Sequence, residues 1–374
     1  MLTTVLLVIV VVAFAWNLGV HYTGAVMGMP FATRSIAQWP ALALIALLTI
    51  LGATFASGKV ETTVGEHIIS AQAARIPDAI VIVLAAGALT MLYNYWKIPT
   101  STIQILVFCV VGVGLAGNIP IHWDTIGKLA IVWLIAPLAA FALGFIFTRL
   151  LDLLIPPTIS HALAAAQISQ ISQTSQGSQA SRTGWLGRLL PGVALSWTMS
   201  GSLAQTTTRT TRATLIALRL LPALLVAVGV FASFVLGAND VANATGALIL
   251  TGLFPLTIAG LIGGLAMAVG ALTWGRRILH TVAFDVVKMD LTMASAAQGV
   301  QALVVIIAVT QGFFTSMNQA LIGAMAGAGF ARGRETVQRQ QIAGILRGWA
   351  IGPLSGLALA FALEWIVRLT LAPR

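Results

Sequence analysis

The sequence has 374 residues, of which 58% are hydrophobic and only 8% charged, and its formal net charge is +10. So little charge excludes an ordinary soluble globular protein, in which about 25% of residues are charged. A positive net charge can indicate nucleic-acid binding. In so apolar a chain it is better explained by positively charged cytoplasmic loops, and we expect no nucleic-acid partner.

Long apolar segments recur along the whole chain. A membrane helix needs about 20 predominantly apolar residues, and these runs do not alternate as strands of a barrel would. The sequence therefore predicts an all-α polytopic membrane protein, multi-pass in a lipid bilayer. Two shorter apolar pieces, near 99–117 and 318–330, are interrupted by polar residues, Gly or Pro. The long stretches are 2–16, 38–57, 78–95, 126–150, 215–236, 253–274, 298–314 and 348–370.

The first segment has no Lys or Arg ahead of its apolar core, so we interpret it as a retained transmembrane segment with its N-terminus outside, not a signal peptide. In mid-chain, QISQISQTSQGSQASR is rich in Ser and Gln and is followed by several arginines. That composition predicts a flexible cytoplasmic linker. We therefore divide the chain into a first transmembrane repeat (1–155), a linker (156–212) and a second transmembrane repeat (213–374).

The two halves resemble each other at a nearly constant separation of 215 to 218 positions. Four segments match in order, which chance seldom produces. If the first half begins outside and the second inside, the repeats are inverted, and such repeats place a substrate site at their interface, built from broken helices. The matched pairs are 18–28 with 236–246, 61–69 with 279–287, 101–107 with 316–322, and 128–138 with 345–354.

Three polar residues, Asn239, Asp240 and Asn243, stand inside an apolar stretch, LGANDVANATGALIL. Polar groups at membrane depth are costly and usually face a cavity or an ion path. The asparagines could instead hydrogen-bond neighbouring helices. Nearly all other acidic residues are expected in loops or at segment ends, so Asp240 is the candidate for carrying a cation or a proton.

Two Ser/Thr-rich runs interrupt apolar segments at equivalent places: IPTSTIQ (98–104) and FFTSMNQ (313–319). We interpret both as tips of re-entrant hairpins at which a helix begins. Such helices would direct N–H groups and their positive dipole ends into a cavity, which suits an oxyanion. The alternative is a pair of kinks made by Ser/Thr back-bonding. The predicted substrate-binding residues are Thr100, Ser101, Thr102, Thr315, Ser316 and Asn318.

The string GANDVANATG resembles the signature of the inorganic phosphate transporter (PiT) family, and the resemblance covers both repeats. The Ser/Thr-rich runs are similar to that family's PVSTTHA element. The resemblance implies two inverted repeats in a helical bundle, an oxyanion and coupling cations bound between them, and often a dimer. A homodimer in a bacterial plasma membrane is therefore expected.

The first copy of the motif departs from the family pattern. It reads GVHYTGAV, so His21 replaces Asn, Tyr22 replaces Asp and Ala25 replaces the later Asn, while Asn17 still matches. The family's histidine in STTH is replaced by glutamine at positions 104 and 319. A first motif without its Asp resembles the sulfate permeases of the CysP type, a branch of the same family.

These departures favour sulfate over phosphate. Phosphate still carries a proton near pH 7 and needs an acceptor for its P–OH, whereas sulfate only accepts hydrogen bonds. We therefore predict a secondary active transporter importing sulfate by proton symport. The alternatives are an inorganic phosphate transporter coupled to sodium or protons and, more remotely, an anion channel. Thiosulfate remains a possible related substrate.

Coupling is assigned to H⁺, with Na⁺ the weaker alternative, and no other cofactor or metal is expected. His21 could relay protons or donate to the anion, or simply hydrogen-bond a carbonyl. The absence of HExxH, GxSxG and Cys/His clusters predicts that the protein is not an enzyme. The predicted ion- or proton-coupling residues are Asn17, His21, Gln104, Asn239, Asp240, Asn243 and Gln319.

Overall fold

The computed structural model describes residues 1–96, 100–155, 184–194, 196, 212–279, 289–333 and 339–371, with backbone alone for 184–186, 212–218 and 339–346. Within these ranges the chain is helical, apart from one isolated β-bridge between Ile69 and Ile121. The helices are α1 (Leu2–Ala32), α2 (Gln38–Phe55), α3 (Gly58–Glu66), α4 (Ile76–Tyr95), α5 (Thr102–Gly117), α6 (Trp123–Leu154), α7 (Gly184–Leu189), α8 (Arg212–Asp240), α9 (Ala242–Leu250), α10 (Leu256–Thr273), α11 (Leu291–Thr310), α12 (Met317–Arg332) and α13 (Arg339–Leu371).

Eight helical segments among the described residues are long and apolar enough to cross a membrane. They coincide with the eight apolar stretches of the sequence, so the prediction of an all-α, multi-pass membrane protein is confirmed. The short apolar helix α5 adds a further segment. The segments are Leu2–Ala32, Gln38–Phe55, Ile76–Tyr95, Trp123–Leu154, Arg219–Leu250, Leu256–Thr273, Leu291–Thr310 and Arg347–Thr370.

The outermost helices, α6 and α13, show the surface expected of lipid contact. Leu134, Leu138 and Leu354 are each more than 60% exposed. Large apolar patches of this kind are rare on soluble monomers and indicate a membrane or an interface. Some polar side chains, Asn239 and Asp240 among them, are buried inside the bundle within a largely apolar core.

The Ser/Thr-rich runs and the second copy of the motif lie where helices begin or are interrupted, but the first copy of the motif does not. The second copy of the motif is interrupted only at Val241, whose φ and ψ of −57° and −37° remain helical. The first copy lies within the uninterrupted helix α1. The broken helix expected there is therefore not seen. No proline occurs in α1 before Pro30, so nothing in the local sequence forces a break.

Close helix packing occurs at two of the GxxxG spacings in the second half. A Cβ added at Gly260 or Gly264 would collide with α2, and one added at Gly323 or Gly327 would collide with backbone of α6. Small residues allow helix backbones to approach closely in membranes. These contacts join α10 to α2 and α12 to α6, so each of these interfaces combines one helix from each half of the chain.

The predicted linker lies largely outside the described residues, so its flexibility and cytoplasmic location stay predictions, as does the division at 155 and 212. The described part of it is attached to the bundle. The N–H of Gly192 donates to the Arg34 carbonyl at 2.7 Å, and the N–H of Ala37 donates to the Leu189 carbonyl at 2.9 Å. The chain around α7 therefore packs against the loop between α1 and α2.

Candidate functional site

Two helices begin at the Ser/Thr-rich runs, as predicted. Ser101 is the N-cap of α5 and Ser316 the N-cap of α12, and both are fully buried. Each serine oxygen accepts a hydrogen bond, from the N–H of Gln104 or Gln319 respectively, at 3.3 Å. Serine is a preferred N-cap for this reason. Because the oxygen acts as acceptor, the O–H hydrogen can still be donated to a ligand.

The two helix starts are joined to each other. The side-chain amide of Gln319 donates to the Gln104 carbonyl oxygen at 3.1 Å. Helix N-termini carry free N–H groups and partial positive charge. Placing two of them side by side produces a site suited to an anion. The glutamines, which stand where the family has histidines, hold this pair together without a titratable group.

Asn239 connects the end of α8 to the loop before α12. Its amide nitrogen donates to the Thr315 carbonyl at 2.8 Å, and its amide oxygen accepts from the Thr315 N–H at 3.2 Å. The same nitrogen also lies 2.9 Å from Asp240 Oδ2. Asn239 thereby fixes the backbone just ahead of Ser316 and orients the carboxylate beside it.

Tyr22, Thr102 and Asn243 form a buried group around Asp240. The Tyr22 hydroxyl lies 2.6 Å from Thr102 Oγ1, and the Asn243 amide donates to the same oxygen at 3.4 Å. Asn243 also lies 3.5 Å from Asp240 Oδ1, and the Tyr22 hydroxyl interacts with the Asp240 carboxyl. The residue that replaces the family's first Asp therefore faces the remaining one. No ion pair among the described residues includes Asp240.

Three buried polar atoms of this region have no hydrogen-bond partner among the described residues: Thr315 Oγ1, Asn243 Oδ1 and Gln319 Oε1. Buried polar groups are nearly always paired, so such atoms require an explanation. A bound anion would accept from the Thr315 hydroxyl, and a bound proton or cation would satisfy the amide oxygens. The unpartnered atoms are therefore consistent with a ligand site.

His21 has both ring nitrogens occupied. Nδ1 bonds to the Asn94 side-chain oxygen, and Nε2 lies 3.0 Å from the Asn318 amide nitrogen. An amide nitrogen only donates and an amide oxygen only accepts, so this pattern assigns a neutral imidazole protonated at Nδ1. Asn94 also donates to Asn17 Oδ1 at 3.3 Å. In this arrangement His21 links α1, α4 and α12, and its part in ion or proton coupling stays a prediction.

Most of the predicted site residues lie around the starts of α5 and α12 and around Asp240, but three of them make other contacts. The structure places the methyl group of Thr100 towards Gly352 on α13. Asn318, predicted to bind substrate, bonds to His21. Asn17, predicted to couple ions, donates to the Gly87 carbonyl at 3.4 Å and accepts from Asn94. The last two residues therefore contribute to the network around His21.

Several supporting residues were missed from the sequence. Asn94 is the clearest, because it is a polar residue near the end of an apolar segment. Gln301 donates to the Met317 carbonyl at 3.2 Å, and Gln298 bonds to Gln301 and to the Ala25 carbonyl. Trp133 donates to the Phe314 carbonyl at 3.1 Å. The signal for the two glutamines is their spacing of three in a predominantly apolar helix.

The family profile described as "Phosphate transporter family" matches residues 18–364. The chain belongs to this family. The phosphate transporter family fold is also seen in a solved structure titled "The sodium-dependent phosphate transporter". It superposes with a TM-score of 0.79, covering 99% of this chain and 100% of that one, at 21% identity. At this identity the likeness shows the fold alone.

Relatives in the phosphate transporter family carry two kinds of name. This chain is 25% identical over 352 residues to the sulfate permease CysP of Bacillus subtilis, covering 94% of this chain and 84% of the relative. It is 24% identical to a putative phosphate permease of Chlamydia trachomatis, covering 95% and 96%. It is 26% identical to the chloroplastic inorganic phosphate transporter 2-1 of Arabidopsis thaliana, covering 94% and 70%. The protein is thus a membrane transporter of the phosphate transporter family.

Proposed function

We propose that this protein imports sulfate by proton symport. The observation that carries the proposal is Tyr22: its hydroxyl, 2.6 Å from Thr102 Oγ1 and facing Asp240, occupies the place of the family's first Asp. A carboxylate can accept the proton of a P–OH group. A phenol beside a single remaining carboxylate makes the site richer in donors, as an anion with acceptors alone requires.

The proposed substrate lies between the starts of α5 and α12. Ser101, Ser316, Thr102 and Thr315 supply hydroxyl donors, with the N–H groups of the first helical turns and the positive ends of both helices. Charge-assisted hydrogen bonds to an oxyanion are stronger than neutral ones. The hydroxyl of Thr315, which has no partner among the described residues, is a further side-chain donor available to the anion.

The proposed coupling proton resides on Asp240. A dianion entering an apolar bundle needs charge compensation, yet the described residues bring no Lys or Arg into ion-pair contact with Asp240. Na⁺ sites favour several oxygen ligands, and the first motif lacks its Asp and its later Asn. A proton needs only one carboxyl oxygen. Protonation of Asp240 would remove its repulsion of the sulfate and accompany the anion inward.

We also propose the inverted-repeat architecture, with repeats 1–155 and 213–374 around a cytoplasmic linker. Contacts between the halves support it. A Cβ at Gly19 would collide with the Met267 carbonyl and one at Gly237 with the Thr49 carbonyl. In the repeat match, which has a separation of 218 positions, Gly19 is equivalent to Gly237 and Thr49 is equivalent to Met267. The two contacts therefore join the same pair of equivalent positions, with the two halves exchanged. A twofold axis between the halves produces contacts of this kind, and inverted repeats are common in alternating-access transporters.

The alternative is a phosphate transporter coupled to sodium or protons. Two observations favour it: several relatives are named phosphate permeases or transporters, and the superposed structure is titled as sodium-dependent. An anion channel is the third possibility, since a polar site alone does not establish alternating access. A homodimer and a bacterial plasma membrane location belong to the proposal through the family resemblance and the CysP relative.

Reconstituted vesicles with labelled sulfate test the proposal. We expect accumulation driven by an inward pH gradient, without dependence on Na⁺, and stronger inhibition by sulfate than by phosphate. Thiosulfate serves as the related competitor. Asp240→Asn should abolish pH-driven accumulation while retaining exchange of bound anion. Accumulation driven by Na⁺ alone, or phosphate outcompeting sulfate, would support the phosphate alternative, and flux that does not saturate would support a channel.

A further inference from the structure

A second buried carboxyl group lies outside the anion site, on the short helix α3. Glu61 is 0% exposed, and its Oε1 accepts a hydrogen bond from Thr245 Oγ1 at 2.5 Å. Its Oε2 makes no hydrogen bond of normal geometry among the described residues, although the Ser57 hydroxyl lies near enough to interact with the carboxyl group. No ion pair among those residues includes Glu61. An unpaired buried carboxylate is expensive, so the position favours a carboxylic acid that carries a proton.

The surroundings of Glu61 supply no compensating charge. Helices α9, α10 and α11, which pack against α3, contain no ionisable residue, and α8 contributes only Asp240 near this end. On α3 itself, Lys59 donates to the Thr310 carbonyl at 2.8 Å, and Glu66 is exposed. His67, which follows the helix, is also exposed. Burial, the largest cause, raises the pKa of Glu61, which lies outside the eight spanning segments, to about 7.

Glu61 is mechanically tied to the anion site. Thr245 belongs to α9, the nine-residue helix that also carries Asn243. α3 and α9 approach closely: a Cβ at Gly246 would overlap Val64, and one at Gly65 would lie 2.9 Å from the Gly246 carbonyl oxygen. Glu61 is 0% exposed in this closed arrangement. A parting of α3 and α9 that exposed Glu61 would also displace the helix that holds Asn243.

We propose that Glu61 carries a second coupled proton, so that each sulfate enters with two protons, one on Asp240 and one on Glu61. This inference rests on the proposed function. The charges balance over a complete transport cycle, because two protons offset the two negative charges of sulfate and the empty carrier returns with both carboxylates ionised. In this proposal the proton on Glu61 exchanges when the α3–α9 contact opens, which links translocation to that contact.

The test measures sulfate accumulation in vesicles under a pH gradient, with the membrane potential set independently by a potassium gradient and valinomycin. For the unmodified protein we expect uptake that does not respond to the potential. Glu61→Gln keeps an oxygen acceptor for Thr245 but cannot carry the proton. It should reduce pH-driven accumulation several-fold, keep sulfate exchange, and make uptake increase with an inside-positive potential. Glu66→Gln, on the same helix but exposed, is the matched control and should behave like the unmodified protein.

Three outcomes would overturn the inference. Unchanged, potential-independent accumulation in Glu61→Gln would remove Glu61 from coupling and leave the proposed function standing. Loss of exchange in proportion to accumulation would assign Glu61 a structural role. Absence of proton-driven sulfate transport in the unmodified protein would overturn the proposed function itself. If Glu61→Gln does not fold, Thr245→Val provides the second variant: losing a hydrogen bond to the carboxylate should shift the pH profile upward without changing the response to potential.

Discussion

Asn239 and Thr315 are joined by two hydrogen bonds between a side-chain amide and a backbone peptide, at 2.8 and 3.2 Å. The pairing resembles that of two strands, although one partner is a side chain. Asn239 is the last residue but one of α8, next to Asp240, and Thr315 precedes the N-cap of α12. The contact therefore holds the carboxyl group and one helix start of the anion site in register.

Removing this amide should weaken anion binding without removing any direct ligand. Asn239→Ala leaves both backbone groups of Thr315 without partners, a loss of about 1–3 kcal/mol per unsatisfied group. We expect the half-saturation concentration for sulfate to rise by about tenfold or more, since 1.4 kcal/mol corresponds to tenfold. Asn239→Asp, which accepts but does not donate and places a second carboxyl group beside Asp240, should weaken sulfate binding at least as much. Asn118→Gly, at the exposed end of α5, is the control; unchanged half-saturation in Asn239→Ala would contradict the assignment.

The N-cap serines allow capping to be separated from anion binding. Replacing an N-cap Ser by Ala costs about 0.5–2 kcal/mol of stability, whereas Gly costs only a few tenths. If the Ser316 hydroxyl also donates to the anion, Ser316→Ala and Ser316→Gly should weaken sulfate uptake equally, several-fold, while only Ser316→Ala lowers the Tm. Ser101 should behave in the same way. Ser70→Ala, in the loop after α3, controls for loss of a hydroxyl. If Ser316→Gly kept full affinity for sulfate, the role of Ser316 would be helix capping alone.

Tyr22 should determine the preference between anions. Tyr22→Phe removes the hydroxyl that contacts Thr102, and sulfate binding should weaken several-fold. Tyr22→Asp restores an acceptor and should shift preference towards phosphate, because P–OH then finds a partner and sulfate meets an added negative charge. Competition assays with both anions measure the ratio. Tyr95→Phe, a tyrosine that is 83% exposed, is the control. An unaltered sulfate-to-phosphate ratio in Tyr22→Asp would contradict the selectivity argument.

The spans and the polar groups could be predicted from the sequence because membrane burial imposes strong local rules. Continuous apolar runs of sufficient length mark a spanning helix, and polar residues such as Asp240 are conspicuous within them. The helix starts at Ser101 and Ser316 followed from the same reasoning. These predictions used the composition of each segment and the repetition between the two halves of the sequence, and neither depends on long-range contacts.

Other features depended on contacts that local sequence does not contain. The partner of His21 is Asn94, 73 positions away. The repeat match suggested a break in α1, but matching positions do not require matching hydrogen bonds, and α1 is continuous. Burial was likewise not predicted: Glu61, Asp78 and Glu364 belong to the acidic residues expected in loops or at segment ends, and all three are 0% exposed. Glu61 lies in GKVETTVGE, a stretch polar enough to be taken for a loop.

The cytoplasmic linker can be tested with one introduced cysteine. The native Cys109 is fully buried in α5, so it should not react with a membrane-impermeant maleimide. A cysteine introduced at Ser175, within the linker, should be protected from external reagent in intact cells and labelled after the membrane is opened. Leu2→Cys, at a position that is 84% exposed, should show the reverse pattern. Labelling at position 175 in intact cells would contradict the inverted topology.

A buried ionic cluster should stabilise the fold more than any surface pair. Arg368 Nε lies 2.6 Å from Glu364 Oε1, and Arg75 lies 3.0 Å from Asp78 Oδ1, with cross-contacts of 3.5 and 3.6 Å. Both carboxylates are fully buried, whereas the arginines are partly exposed. The cluster joins the start of α4 to the end of α13, and thus the two halves of the chain.

Arg368→Gln would leave two buried carboxylates facing one arginine. Breaking such a cluster costs about 3–5 kcal/mol, because an uncompensated buried charge remains. We expect a clear fall in the Tm of the purified protein, measured at a fixed scan rate because membrane proteins often unfold irreversibly. Lys128→Gln breaks the exposed Lys128–Asp124 pair, which is 3.6 Å apart with side chains 62% and 70% exposed. That pair is worth about 0–1 kcal/mol, so an equal effect of both substitutions would show that burial of Asp78 and Glu364 contributes nothing.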